Sequence, residues 1–171
     1  MLKGDGFMLR PVLESDLEAL YSLHRDIANR GSYYPLGVMS EPAFRKHFHE
    51  TGFWEKSEGM LLIVSDDGRL VGHVEFFPTV AYLDELELSY QLYSTADAGQ
   101  GIMTWAVQQM TGYLFDNRKT NRLRLIIHPD NVASRRIAEK CGYRFEGTAR
   151  GAWFHEASTM AWARLLTPNL L

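Results

Sequence analysis

The sequence predicts an α/β (α+β) fold, a mixed and mostly antiparallel β-sheet flanked by helices, in one domain spanning residues 1–171. Three observations predict it. Apolar residues recur at strand or helix spacing in the order β, α, α, β, β, β, α, β, α, β, β. The segment Asp66-Asp67-Gly68-Arg69 separates two apolar runs as a hairpin turn would. The glycine-rich segment Ala98-Gly99-Gln100-Gly101-Ile102-Met103 joins a strand directly to a helix. A chain of 171 residues is long enough to bury a sizeable core. It shows no repeat, linker or low-complexity tract.

Phe7 to Arg10 reads as a strand stopped by Pro11. Ser15-Asp16-Leu17-Glu18 has the pattern of a capping box, in which a hydroxyl and a carboxylate satisfy free N–H groups at a helix start. Leu17, Leu20, Tyr21, His24 and Ile27 then recur at helical spacing. Asn29 to Val38 is a loop, and Ser40 caps a second helix whose first turn accepts Pro42. Met60–Ser65 and Leu70–Phe77 form the hairpin strands. Leu86, Leu88, Tyr90 and Leu92 alternate with Glu85, Glu87, Ser89 and Gln91 as one face of a further strand. Ile102 to Phe115 is a helix with Ile102, Ala106, Met110 and Tyr113 on one face, and Arg122 to His128 is a strand. Asn131 caps a helix running to Lys140, which Gly142 ends. Tyr143–Phe154 and Ser158–Leu166 close the sheet.

Composition excludes some classes of function. A net charge of −3 argues against nucleic acid as a partner, since such domains carry a basic stripe. The single cysteine, Cys141, excludes an internal disulfide and fits a reducing compartment. No apolar run approaches the length of a membrane span or a signal sequence, so a cytoplasmic location and no membrane partner are expected. The six histidines show no ligand pattern and no metal is expected. A homodimer is compatible with the chain, which says almost nothing about oligomeric state.

The glycine turn is the most informative segment. Gly99 and Gly101 let the backbone approach a ligand without a Cβ in the way. The helix that follows adds unpaired N–H groups and positive partial charge. The combination suits a phosphate or pyrophosphate. A phosphate-transfer loop of the Walker type needs a lysine followed by Ser or Thr, which Gly101-Ile102-Met103-Thr104 lacks.

The element order and three motifs resemble the GNAT acyltransferase superfamily, closest to the branch that acetylates the N-termini of ribosomal proteins. The motifs are Leu9-Arg10-Pro11 with Glu14-Ser15-Asp16, the loop Gly99-Gln100-Gly101-Ile102-Met103, and Asn131-Val132-Ala133-Ser134 with Glu139-Lys140-Cys141-Gly142-Tyr143 and Glu146-Gly147. The resemblance covers nearly the whole chain. It implies an acyl-CoA-dependent N-acyltransferase moving acetyl from acetyl-CoA directly to a primary amine of a small molecule or a peptide or protein N-terminus. The alternative is a non-catalytic acyl-CoA-binding sensor or interaction module. Coenzyme pyrophosphate would sit on the amides of Gly99, Gln100, Gly101, Ile102 and Met103, with the pantetheine arm along Leu92 and Tyr93. Asn131 and Ser134 would also meet the coenzyme. Ala98 and Met103 depart from the family's loop pattern, which has Arg or Gln and then Gly or Ala at these places.

By the same resemblance Glu87 is the candidate base, acting through water, with Glu85 on the same strand face as fallback. The bland reading of Glu87 is a solvated strand carboxylate. Many relatives carry a tyrosine as general acid where this chain has Ala138, which leaves Ser134 as the candidate near the thiol. Cys141 and Tyr143 take positions of leucine and phenylalanine and read as core. The acceptor pocket is expected from Tyr33, Tyr34, Pro35 and from Trp153, Phe154 and His155 of the closing hairpin. That hairpin is shorter than in the ribosomal branch, so a ribosomal substrate does not follow from the resemblance.

Overall fold

The computed structural model describes residues 1–27, 31–33, 37–80, 83–118, 120–150 and 158–165. Eight strands form one sheet: β1 (Leu2–Lys3), β2 (Phe7–Pro11), β3 (Gly59–Ser65), β4 (Leu70–Pro78), β5 (Glu85–Leu92), β6 (Arg122–Ile127), β7 (Arg144–Arg150) and β8 (Ser158–Leu165). Their spatial order is β1-β2-β3-β4-β5-β6-β8-β7. Neighbours pair antiparallel except β5 and β6, which run parallel. Among the described residues four helices cover the sheet: α1 (Leu17–Arg25), α2 (Glu41–Thr51), α3 (Ile102–Asn117) and α4 (Val132–Lys140). The parallel pair needs a crossover, and α3 supplies it between β5 and β6.

Two apolar clusters lie on the two faces. The larger joins Ala106, Val107, Met110 and Leu114 of α3 and Ala138 of α4 to Val74, Phe76, Leu88, Leu123 and Leu125 of the sheet. The smaller joins Leu17 and Leu20 of α1 and Phe44 of α2 to Leu62, Val64 and Tyr93. Alternation along β5 follows from this: Leu88, Tyr90 and Leu92 belong to the α3–α4 side, and Tyr93 to the α1–α2 side. At Gly72 of β4 an added Cβ would lie 2.3 Å from the Gln91 carbonyl oxygen, so only glycine allows β4 and β5 to approach there.

Three local expectations are corrected. Ser15 does not cap α1. A single 3-10 turn, Glu14–Asp16, precedes the helix, and Asp16 takes its N-cap position without a side-chain cap bond. The Asp16 carboxylate instead accepts the Leu13 N–H at 2.7 Å and both Arg10 guanidinium nitrogens at 2.6 and 2.8 Å. The rigid fork of arginine fits a carboxylate better than the serine hydroxyl fits the helix. Helix α1 ends at Arg25, so Ile27 lies beyond it and is exposed. Ser40 precedes α2 as expected, but through its carbonyl, which accepts the Phe44 N–H at 2.9 Å, and not through its hydroxyl.

Burial works against ionisation of Asp16, yet Arg10 and the Leu13 amide outweigh it and hold the carboxyl below its ordinary value. A depressed folded-state pKa contributes stability above the unfolded value, about 3.9, that disappears as pH falls through the folded value. Asp16→Asn is therefore expected to lower unfolding free energy by about 2 kcal/mol at neutral pH, as for a lost hydrogen bond to a charged group. The deficit should narrow in strong acid. Urea titrations at several pH values measure it, and a constant deficit down to the lowest pH would contradict the assignment.

Candidate active site

Strands β5 and β6 pair over only three positions, Glu85↔Arg122, Leu86↔Leu123 and Glu87↔Arg124. Beyond Glu87 the two strands part, and a cavity of about 500 Å³ opens between them. Glu87 to Leu92 line one wall, Leu125 to His128 the other, and Asn131, Ala133, Ser134 and Ile137 of α4 and Met103 of α3 close it on one side. Glu75, Phe77, Gly31, Ser32, Tyr33 and Gly37 line the rest. On the β4 side, the Tyr93 N–H bonds the Val71 carbonyl at 2.9 Å. Ladder alternation then directs the N–H groups of Leu88, Tyr90 and Leu92 to the edge that β6 has left.

The base of the opening is held by charge. Glu85 accepts the Thr79 hydroxyl at 2.7 Å and Arg122 Nε at 2.8 Å, and meets Arg124 Nη1 at 2.9 Å. Arg122 also clasps Glu146 of β7. Burial disfavours the charged form of Glu85, but these partners outweigh it and keep the carboxyl low. Glu85 thus braces the strands through these partners, which hold its basicity down. Glu87 is the opposite case. Burial pushes its carboxyl above the ordinary value, and Arg124, at 3.3 Å, offsets this only in part, while Glu85 and Glu75 add repulsion. Two carboxylates two residues apart are thus driven to opposite protonation behaviour by their surroundings.

The glycine turn sits at the far end of β5. A 3-10 turn, Thr95–Asp97, leads into it, and Arg69 of the β3–β4 hairpin grips Asp97 with two bonds of 2.8 and 2.9 Å. Gly99 and Gly101 have φ of 77° and 81°, the left-handed region, and Gly101 is the residue before α3. Space is open where either Cβ would be. Gln100 turns its amide back to the Ala96 carbonyl at 2.8 Å. Ile102 and Met103 bury their side chains in the core, which leaves their backbones to line the turn. The geometry is that of an anion cradle at a helix N-terminus.

Asn131 caps α4, its side-chain oxygen accepting the Ser134 N–H at 3.1 Å. Asn131, Ser134, Leu92 and Met103 all line the cavity with Glu87. Tyr93 does not. Its side chain is buried toward α1 and α2, where its hydroxyl lies 2.8 Å from His73 Nδ1, and its N–H faces β4. Tyr33 is brought to the cavity and stacks on His128 with ring centroids 4.9 Å apart. Tyr34, Pro35, Trp153, Phe154 and His155 lie outside the described residues. Cys141 is buried, its Sγ 3.5 Å from the Thr104 carbonyl, and the Tyr143 hydroxyl pairs with Thr111 at 2.9 Å, as core residues would.

Three ionisable lining residues, Tyr90, His128 and Glu75, escaped the sequence reading. Tyr90 shares an apolar strand face and so reads as core. His128 accepts the Asp130 N–H at Nδ1, 3.2 Å, directly before Pro129. Glu75 sits in a strand that reads as buried. Together with Phe77 it also borders a second recess of about 280 Å³ that holds Phe53, Trp54, Glu55 and Glu58. Among the described residues no group of three or more His, Cys, Asp or Glu is placed to hold a metal ion, and no helix is long and apolar enough to cross a membrane.

Comparison with known proteins gives the family. Residues 7–144 match the family model described as the acetyltransferase (GNAT) domain. The chain is 31% identical over 160 residues to the "Probable N-acetyltransferase YjcK" of Bacillus subtilis (strain 168), covering 88% of this chain and 87% of that protein. RimL, a ribosomal L7/L12 alpha-N-protein acetyltransferase solved with coenzyme A, superposes with a TM-score of 0.74 at 24% identity, over 95% of this chain and 96% of RimL. The spermidine N-acetyltransferase of Vibrio cholerae, solved with coenzyme A and spermine, gives 0.79 at 17% identity, over 95% and 96%. These two likenesses concern the fold. With the family model spanning most of its length, the chain belongs to the GNAT acetyltransferase family and is an acetyl-CoA-dependent N-acetyltransferase.

Proposed function

We propose that this enzyme transfers acetyl directly from acetyl-CoA to a primary amine of a small molecule or of a peptide N-terminus, with Glu87 as general base. The observation that carries this is the parting of β5 and β6 just past Glu87, which opens a cavity with a carboxyl of raised pKa at its closed end. The amides from Gly99 to Met103 hold the pyrophosphate. The pantetheine arm lies in the opening and pairs with the β5 edge at Leu88, Tyr90 and Leu92 in the manner of an added strand. Asn131 and Ser134 meet the arm from α4. The acceptor enters beside Tyr33, Glu75 and Phe77, a wall whose single carboxylate, on Glu75, suits a cationic amine.

An alkylamine with a pKa near ~10 arrives charged. It must give up a proton before nitrogen attacks the acyl carbon. Glu87 draws that proton through one water, and its raised pKa brings it nearer the range where a base works best at neutral pH. The C–N bond forms, the C–S bond breaks, sulfur leaves with the electron pair, and the second proton of the nitrogen passes to water as the amide forms. No side chain carries the acyl group, consistent with the burial of Cys141 in the core.

A panel of small amines and peptides with free N-termini, incubated with acetyl-CoA and read by thiol release, tests the reading. Release above hydrolysis is expected with members of the panel. Intact-mass measurement should show no acetylated protein when acetyl-CoA is given without acceptor. No release with any amine, or a trapped acetyl-enzyme, would overturn the proposal.

A further inference from the structure

We propose that Tyr90 supplies the hydrogen-bond donor to the departing coenzyme sulfur, from strand β5 in place of the helix position that here is Ala138. This rests on the site reading above.

Breaking the thioester leaves negative charge on sulfur, and a donor facing it lowers the barrier. Helix α4 offers no phenol, because Ala138 is fully buried and ends at a methyl group. Tyr90 reaches the same helix from across the opening. Its hydroxyl donates to the main-chain carbonyl of Ser134 at 3.4 Å. Ser134 and Ala138 are one turn apart on one face of α4, so the phenol occupies the neighbourhood that a tyrosine at 138 would otherwise fill. Tyr90, Ser134 and Ile137 line the cavity together. The Ser134 carbonyl is also the helical acceptor for the residue four places on, so the long bond from Tyr90 can be exchanged without leaving the carbonyl unsatisfied.

The position along β5 fits the chemistry. Glu87 and Tyr90 are three residues apart, about 10 Å along an extended strand, and their side chains leave opposite faces. A thioester lying in the opening has the base on its acceptor side and the phenol on its coenzyme side. Burial holds the phenol above its ordinary pKa, so it stays protonated throughout the working range. It therefore stabilises the thiolate by donation and does not surrender its proton to a group whose free pKa is about 8.5. The proton lost by the amine leaves through Glu87, and the sulfur acquires its proton from water on release.

The test is Tyr90→Phe, which keeps the ring and removes the hydroxyl. Turnover is expected to fall roughly ten- to hundredfold, less than the loss of an oxyanion donor, because sulfur accepts hydrogen bonds weakly. The KM for acetyl-CoA should stay within about twofold, since the hydroxyl acts only as charge develops. The readout specific to this role is the thiol of coenzyme A itself. In the wild-type complex it should ionise at lower pH than in free coenzyme A, followed by the ultraviolet absorbance of the thiolate, and Tyr90→Phe should move it back up. A fluorotyrosine at position 90, with a more acidic hydroxyl in the same shape, should shift it further down. Unchanged turnover, or reduced turnover with the thiol titrating alike in all three proteins, would show that Tyr90 only packs. A wild-type protein that fails to bind coenzyme A overturns the site reading instead, and the binding isotherm reveals this before any variant is compared.

Discussion

Gly101→Glu is expected to abolish coenzyme A binding in a protein that remains folded. Gly101 holds φ at 81°, immediately ahead of α3, and the space where its Cβ would be is open. A side chain there meets no neighbour, so the fold bears only the local cost of a left-handed non-glycine residue, about 1–2 kcal/mol. What changes is the cradle. The glutamate adds a negative charge and a Cβ beside amides that would otherwise face phosphate oxygens, at a helix end that favours anions. Gly101→Asn separates the two effects, since asparagine tolerates the left-handed region and carries no charge. It should weaken binding far less. Calorimetric titration with coenzyme A measures both variants, with circular dichroism as the control for folding. Wild-type affinity in a folded Gly101→Glu protein would remove the glycine turn from the coenzyme site.

The second large effect is expected at Glu87. Glu87→Gln keeps the shape of the side chain and removes its basicity. Positioned general bases typically contribute about 100- to 10,000-fold, and a loss in turnover of that order is expected at neutral pH with little change in coenzyme affinity. The pH dependence carries the sign. Burial raises the Glu87 carboxyl, so the fraction able to accept a proton grows as pH rises through that elevated value, and activity grows with it. In Glu87→Gln this limb is absent, and only titration of the amine remains. The deficit of the variant should therefore shrink toward pH ~10, where the acceptor is already neutral. Turnover near that of wild type at neutral pH with saturating acceptor would falsify the assignment and return Glu87 to a solvated strand carboxylate.

Much of the fold was legible because its signals are local. Alternation along Leu86–Leu92, the Asp66–Arg69 turn and the Asn131 cap each act within a few residues, and each appears in the structure close to where the sequence places it. Ser15 failed as a cap because Arg10, on a strand, competes for the same turn through Asp16, an interaction no spacing rule around Ser15 contains. The site divides in the same way. The glycine turn and Asn131-Val132-Ala133-Ser134 are contiguous motifs and were readable. The difference between Glu85 and Glu87 was not, because it is made by Arg122 and Arg124 on a strand 37 residues away. Tyr90 was hidden for a related reason: its aromatic ring satisfies the pattern of a core position, and only the parting of β5 from β6 brings its hydroxyl to a cavity.

That parting has a mechanical side. A β-sheet carries stiffness from strand to strand through continuous hydrogen bonding, and here continuity between β1–β5 and β6–β8–β7 rests on three residue pairs and the ion pairs of Glu85 with Arg122 and Arg124 and of Glu87 with Arg124. Within the sheet the two portions share only this short ladder, while α3 and α4 pack across both. On the reading proposed above, an acyl donor lying between them supplies cross-ties from Leu88 to Leu92 that the protein's own ladder lacks. The substrate then serves as a temporary ninth strand, and the enzyme is stiffest at the moment its reacting groups must be held in register.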